Sequence, residues 1–159
     1  MAFADNPIIN NPTFKSLTIR AQWVFFTALD ERPRRCGIVD VWPKRIAKLS
    51  RTTTEEDVVE GAKELDRAGV AYFDAETDEL LFPGYLTEVT NVNNPRMMIA
   101  AVNSVQGVVS HKLVGLVVHE LKQLRQQNPD AKAWEDPRVA ELMARPAVDP
   151  ADLTGGAGK

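Results

Sequence analysis

The chain has 159 residues, 44% of them hydrophobic and 26% charged, which suits one globular domain with at most an appendage. Its apolar runs fall short of the ~18 residues a membrane helix needs, and the opening Met1-Ala-Phe-Ala-Asp-Asn lacks the basic and apolar regions of a signal peptide, so a cytoplasmic chain without a membrane partner is expected. The single cysteine, Cys36, excludes an internal disulfide, and the net charge of −3 argues against an anionic partner only if it is evenly spread.

It is not evenly spread. Residues 32–51 carry seven basic side chains and the one acid Asp40, a net charge of +6. Residues 52–88 carry eleven acids against Lys63 and Arg67, a net of −9, and residues 89–125 return to +3. The sign of each segment therefore says more about partners than the total does.

In chain order, the Asn- and Pro-rich residues 1–13 read as a flexible arm. Thr18 is placed to cap a buried helix over 19–29, dense in Ala21, Trp23, Val24, Phe25, Phe26, Ala28 and Leu29. A loop of three arginines, Arg32, Arg34 and Arg35, leads to a short strand at 37–41. Pro43 suits the first position of a second helix, with Ile46 and Leu49 facing inward and Lys44, Arg45 and Lys48 facing out. After a turn, Thr53 and Glu56 have capping-box spacing and open a third helix to 67, whose apolar stripe is Val58, Val59, Ala62 and Leu65. Gly69 ends it, and 70–83 read as strand, tight turn, strand. Trp23, Phe25 or Phe26, Ile46, Leu49, Val58, Leu65, Tyr72 and Leu81 are expected to share one core.

An Asn-rich loop follows Tyr85, then apolar helices over 96–108 and 111–127, the second capped by Ser110, and a short helix opened by Asp136-Pro137. The segment from Pro146, ending Gly-Gly-Ala-Gly-Lys, reads as a disordered tail.

The order helix, strand, helix, turn, helix, hairpin is that of a winged helix-turn-helix. The expected fold is mostly α with a small β-hairpin wing and a C-terminal helical extension; a generic α+β domain is the alternative. The expected division is a flexible arm at 1–13, the winged-helix domain at 14–88, the helical extension at 89–128, a short helix within 129–145 and a disordered tail at 146–159.

Residues 17–124 resemble winged-helix proteins of actinobacterial phages and prophages, which are similar to the N-terminal domains of phage replisome organisers. The resemblance is carried by SLTIRAQWVFFTALDERPRRCGIVDVWPKRIAKL, TTEEDVVEGAKELDRAGVAYFDAETDELLF and NNPRMMIAAVNSV. It implies binding of double-stranded DNA, in replication initiation or transcriptional regulation.

Arg34, Arg35, Lys44, Arg45, Lys48 and Arg51 are the residues suited to phosphate contacts, and Thr52, Thr53 and Lys63 the ones suited to base contacts. The third helix, which would enter the major groove in a helix-turn-helix, is acidic. Either DNA is held by the second helix and the arginine loop, or the acidic helix, through Glu56, Glu60 and Glu64, engages a host or phage protein. His111 and His119 lie on one expected helix without an HExxH pattern, and Cys36 has no His/Asn framework, so no enzyme, metal or cofactor is expected. The helices over 96–127 carry more aliphatic side chains than one contact stripe needs, which points to a homodimer.

Overall fold

The computed structural model describes residues 7–154; the first six residues of the expected arm and the Gly-rich end at 155–159 lie outside them. The described chain is mostly helical, with one small antiparallel sheet.

A 3-10 turn (Pro7–Asn10) and helix α1 (Pro12–Lys15) occupy part of the stretch expected as an arm. The Asn11 side chain accepts from the Thr13 and Phe14 N–H groups, and the Phe14 ring packs edge-on against Phe25 and Phe26, so aromatic burial orders this segment. Helix α2 (Ile19–Asp30) begins at Thr18, whose hydroxyl accepts from the Ala21 N–H at 3.2 Å. Strand β1 (Ile38–Asp40) leads into α3 (Pro43–Ala47), with Pro43 at its first turn. Helix α4 (Glu55–Arg67) is capped one residue later than the sequence suggested: Thr54, not Thr53, is the cap, and Asp57 returns the reciprocal bond.

Strands β2 (Tyr72–Asp74) and β3 (Glu79–Leu81) form the hairpin, and β3 lies between β1 and β2. The register builds three rungs: Ile38–Leu81–Tyr72, Val39–Leu80–Phe73 and Asp40–Glu79–Asp74. Side chains alternate between faces, so the middle rung points one way and the outer two the other. Val39, Leu80 and Phe73 join the core of α2, α3 and α4, with Val24, Phe25, Ile46, Val58 and Leu65. Ile38, Leu81 and Tyr72 join a second core on the opposite face. The expectation of one core is corrected accordingly: the sheet is a shared layer between two. Leu49 is also corrected; α3 stops at Ala47, and Leu49 is 60% exposed.

The second core is built from α5 (Tyr85–Val89), α6 (Pro95–Asn103), α7 (His111–Gln127), a 3-10 turn (Lys132–Glu135) and α8 (Pro137–Met143). Ser110 caps α7 through the Leu113 N–H at 3.1 Å. Leu113, Val117, Val118 and Leu121 are fully buried within the chain. These side chains, part of the apolar surplus that suggested a homodimer, serve the chain's own second core, while Val109 in the same stretch stays 68% exposed. The segment after Pro146 is likewise not a free tail where it is described. It carries α9 (Pro150–Thr154), and the Val148 N–H donates to Gly115 O at 2.9 Å. A Cβ on Gly115 would stand 2.5 Å from Val148 Cγ2, so only glycine admits this segment onto α7. The same logic joins α2 and α4, where a Cβ on Gly61 would meet Val24 Cγ2 at 2.8 Å. Among the described residues no helix is long and apolar enough to cross a membrane.

Candidate functional site

The acid rung lies on the α7 side of the sheet. Glu79 is 2% exposed, and its carboxylate accepts from the Val109 N–H at 3.1 Å and the Ser110 N–H at 2.7 Å, at the positive end of α7. Ser110 Oγ donates to Asp74 Oδ2 at 2.6 Å. Arg34 closes the network, 3.6 Å from Asp40 and 3.9 Å from Glu79. Arg34, expected on a phosphate-binding loop, is therefore an internal counter-charge joining the loop to the sheet. Its Nη1, the atom 3.9 Å from Glu79, is buried without a hydrogen-bond partner among the described residues.

The other basic residues divide by position. Arg45 is tied to Glu31 at 3.1 Å, across the junction of α2 and α3. Arg35, Lys44, Lys48 and Arg51 are exposed and have no ion-pair partner among the described residues. Lys44 and Lys48 are four residues apart, hence on one side of α3 and its last turn, while Ile46 and Ala47 point into the core. Between Val41 and Thr54 the chain holds four basic side chains and no acid. Thr52 is exposed and its N–H donates to Ser50 Oγ at 3.2 Å; Thr53 is half-buried. Lys63 is held by Glu60 at 3.6 Å on the outer face of α4.

The acids of α4 are less available than the sequence suggests. Asp57 caps the helix and meets Arg20 at 3.4 Å; the Thr54 backbone N–H and hydroxyl hold its carboxyl below the usual range. Glu64 accepts from the Thr18 N–H at 3.1 Å and from the Thr18 hydroxyl. Asp66 takes the Phe73 N–H at 2.8 Å and pairs with Lys112 at 3.1 Å. Glu60 faces Lys63, which leaves Glu55 and Glu56 as exposed acids at the start of α4. Of the three acids expected as a protein-docking face, Glu64 and Glu60 have intramolecular partners, and Glu56 has no ion-pair partner among the described residues.

Two hollows are not foreshadowed by the sequence pattern. The first, about 220 Å³, lies between the α2–β1 loop and α3, lined by Arg32, Arg34, Arg45, Glu31, Asp40 and Trp42 among others. Trp42 is 55% exposed there; an aromatic residue directly before Pro-Lys-Arg was the available signal. The second, about 640 Å³, lies between α5, α7 and Pro150 and contains His119 and Glu120. Glu120 serves the fold: it accepts from the Thr87 hydroxyl at 2.9 Å and the Gly84 N–H at 3.3 Å, fixing α5 against α7. His111 is exposed and His119 half-buried.

Cys36 is fully buried, and its N–H donates to Ser104 Oγ at 2.9 Å. Desolvation pushes its thiol above the ordinary range, against smaller opposing effects from Ser104, the backbone and Arg34. The neighbouring arginines do not make it a reactive thiolate.

Compared with models of known protein families, with curated proteins and with solved structures, the chain finds no match.

Proposed function

We propose that this chain is a DNA-binding protein that docks on the phosphate backbone through α3 and the turn after it. Its fold is read as a winged helix: α2, α3 and α4 stand for the three helices, and the strand order β1-β3-β2 is the one that arrangement uses. The observation that carries the reading is the exposed set of Lys44, Lys48 and Arg51, in a stretch from 41 to 54 that contains no acid, with Arg35 exposed on the loop before β1. Unpaired surface cations release condensed counterions from DNA when they meet phosphate, and that release drives sequence-independent binding.

The start of α4 is the part a helix-turn-helix would place in the major groove, and it presents Glu55 and Glu56. Contact is therefore centred on α3, with Thr52 and Thr53 nearest any base edge. The resemblance over 17–124 supplies the setting, replication initiation or transcriptional regulation in a phage. A cytoplasmic location belongs to the same reading.

The test is charge reversal at residues that hold no internal ion pair. Lys44→Glu with Lys48→Glu should weaken binding to unrelated duplexes by a similar factor in fluorescence anisotropy, while Lys63→Glu changes it little. Equal affinity of the double variant and the parent chain would reject α3 as the docking element.

A further inference from the structure

The basic face adjoins a hollow that phosphate contact alone does not use. Trp42 is the residue before α3; its backbone opens the helix and its side chain makes no capping bond. The ring stands 55% exposed at the cleft between the α2–β1 loop and α3. Three guanidinium groups, Arg32, Arg34 and Arg45, share the cleft with Glu31 and Asp40, so its lining carries one positive charge in excess. The pairing of Arg45 with Glu31 and of Arg34 with Asp40 and Glu79 holds two of these groups in place. Arg32, one of the residues lining this hollow, adopts φ 61°, a left-handed conformation unusual for a residue with a side chain.

An exposed indole beside ordered guanidinium groups fits a ligand with a flat apolar face and an adjacent anion. A volume of about 220 Å³ is below the ~300–1,000 Å³ that enclose a whole drug-sized molecule. The cleft thus suits one unit of a polymer better than a free metabolite. A base within a duplex hides its face by stacking on its neighbours, whereas an unpaired base offers it.

From this we infer that the Trp42 cleft takes an unpaired nucleotide of single-stranded DNA, with the base stacked on Trp42 and its phosphate facing Arg32 and Arg45. Lys44 and Lys48 then track the neighbouring phosphates. The inference rests on the reading of α3 as a nucleic-acid face and adds that this face prefers an opened strand.

Tryptophan emission tests it in the intact chain. Trp134 is buried and Trp23 half-buried, which leaves Trp42 as the residue best placed to be quenched by a stacking base. An oligothymidylate of about 15 nucleotides, long enough for a typical single-strand site, should quench emission saturably at concentrations where the matching duplex does not. Trp42→Ala should weaken oligothymidylate binding by roughly 5- to 150-fold, the loss expected for one stacked base, and Trp42→Phe should recover most of it. Because Trp42 is largely exposed, unchanged circular dichroism is expected for both variants. Three results would overturn the inference: quenching by duplex equal to that by single strand, affinity unchanged in Trp42→Ala, or saturation by thymidine monophosphate at the same concentration, which would give the cleft to a free nucleotide. If duplex still binds while oligothymidylate leaves the emission unchanged, the cleft inference falls and the phosphate-docking reading stands; if neither binds, both fall.

Discussion

Removing the Glu79 carboxylate should cost more than any other single surface-to-core polar change in this chain. Glu79 is the one buried acid among the described residues. It joins three parts of the fold: the middle strand, the N–H groups of Val109 and Ser110 just before α7, and the Arg34 loop. In Glu79→Ala, the Val109 and Ser110 N–H groups lose their acceptor, and Arg34 keeps only Asp40 at 3.6 Å. A buried donor left unsatisfied costs about 1–3 kcal/mol, while the part-exposed Arg34 retains Asp40 and adds little. The two N–H groups share one carboxylate and their costs are not independent, so the expected loss is about 2–4 kcal/mol. Glu79→Gln keeps the volume and one acceptor, and should lose roughly half of that. Asp40→Ala removes only a part-exposed partner and should cost less than about 1 kcal/mol. Urea unfolding followed by circular dichroism at neutral pH measures all three, with an unchanged denaturant slope. Glu79→Ala within about 0.5 kcal/mol of the parent, the range of an ordinary surface change, would refute the network as a stabilising joint.

Gly115→Ala should eject the segment after Pro146 from α7, since the new Cβ would overlap Val148. Rapid subtilisin cleavage within 146–150, with the rest of the chain protected, is the expected result; a cleavage rate equal to the parent's would contradict the packing. Cys36 gives a pH prediction. Its folded thiol titrates above its ordinary value of 9.0 because it is buried, so its contribution is fully present below about pH 9 and is lost as pH rises through the folded value. The urea midpoint should therefore fall on the alkaline side, and fall less in Cys36→Ala; parallel pH curves for the two proteins would show that the thiol is not desolvated.

Much of the fold was legible because its signals are local. Thr18, Ser110 and Asp136 each cap a helix where the sequence placed one, and Pro43 opens α3 as expected. The elements that were missed are short and are held by distant partners. Helix α5 depends on Glu120, more than thirty residues away, and the segment before α9 depends on the bare surface of Gly115. Alternation along β1, β2 and β3 carried the two-core arrangement, but three-residue strands that are apolar on both faces look the same as strands serving one core. The site divides in the same way. A run of basic residues is plain in sequence, while the pairing of Arg34 with Asp40 and Glu79 and of Arg45 with Glu31 is set by acids that only folding brings near. Glu64 and Asp66 look like free acids until Thr18 and Lys112 meet them.

The central claim, that exposed cations of α3 and the following turn meet phosphate, is tested most directly by the salt dependence of DNA affinity. Four phosphate contacts, from Arg35, Lys44, Lys48 and Arg51, give a slope of log affinity against log salt of about −3.6 for duplex DNA. The double variant Lys44→Glu, Lys48→Glu should bring it to about −1.8 or shallower. A slope near zero for the parent chain, or the same steep slope in both proteins, would contradict the account.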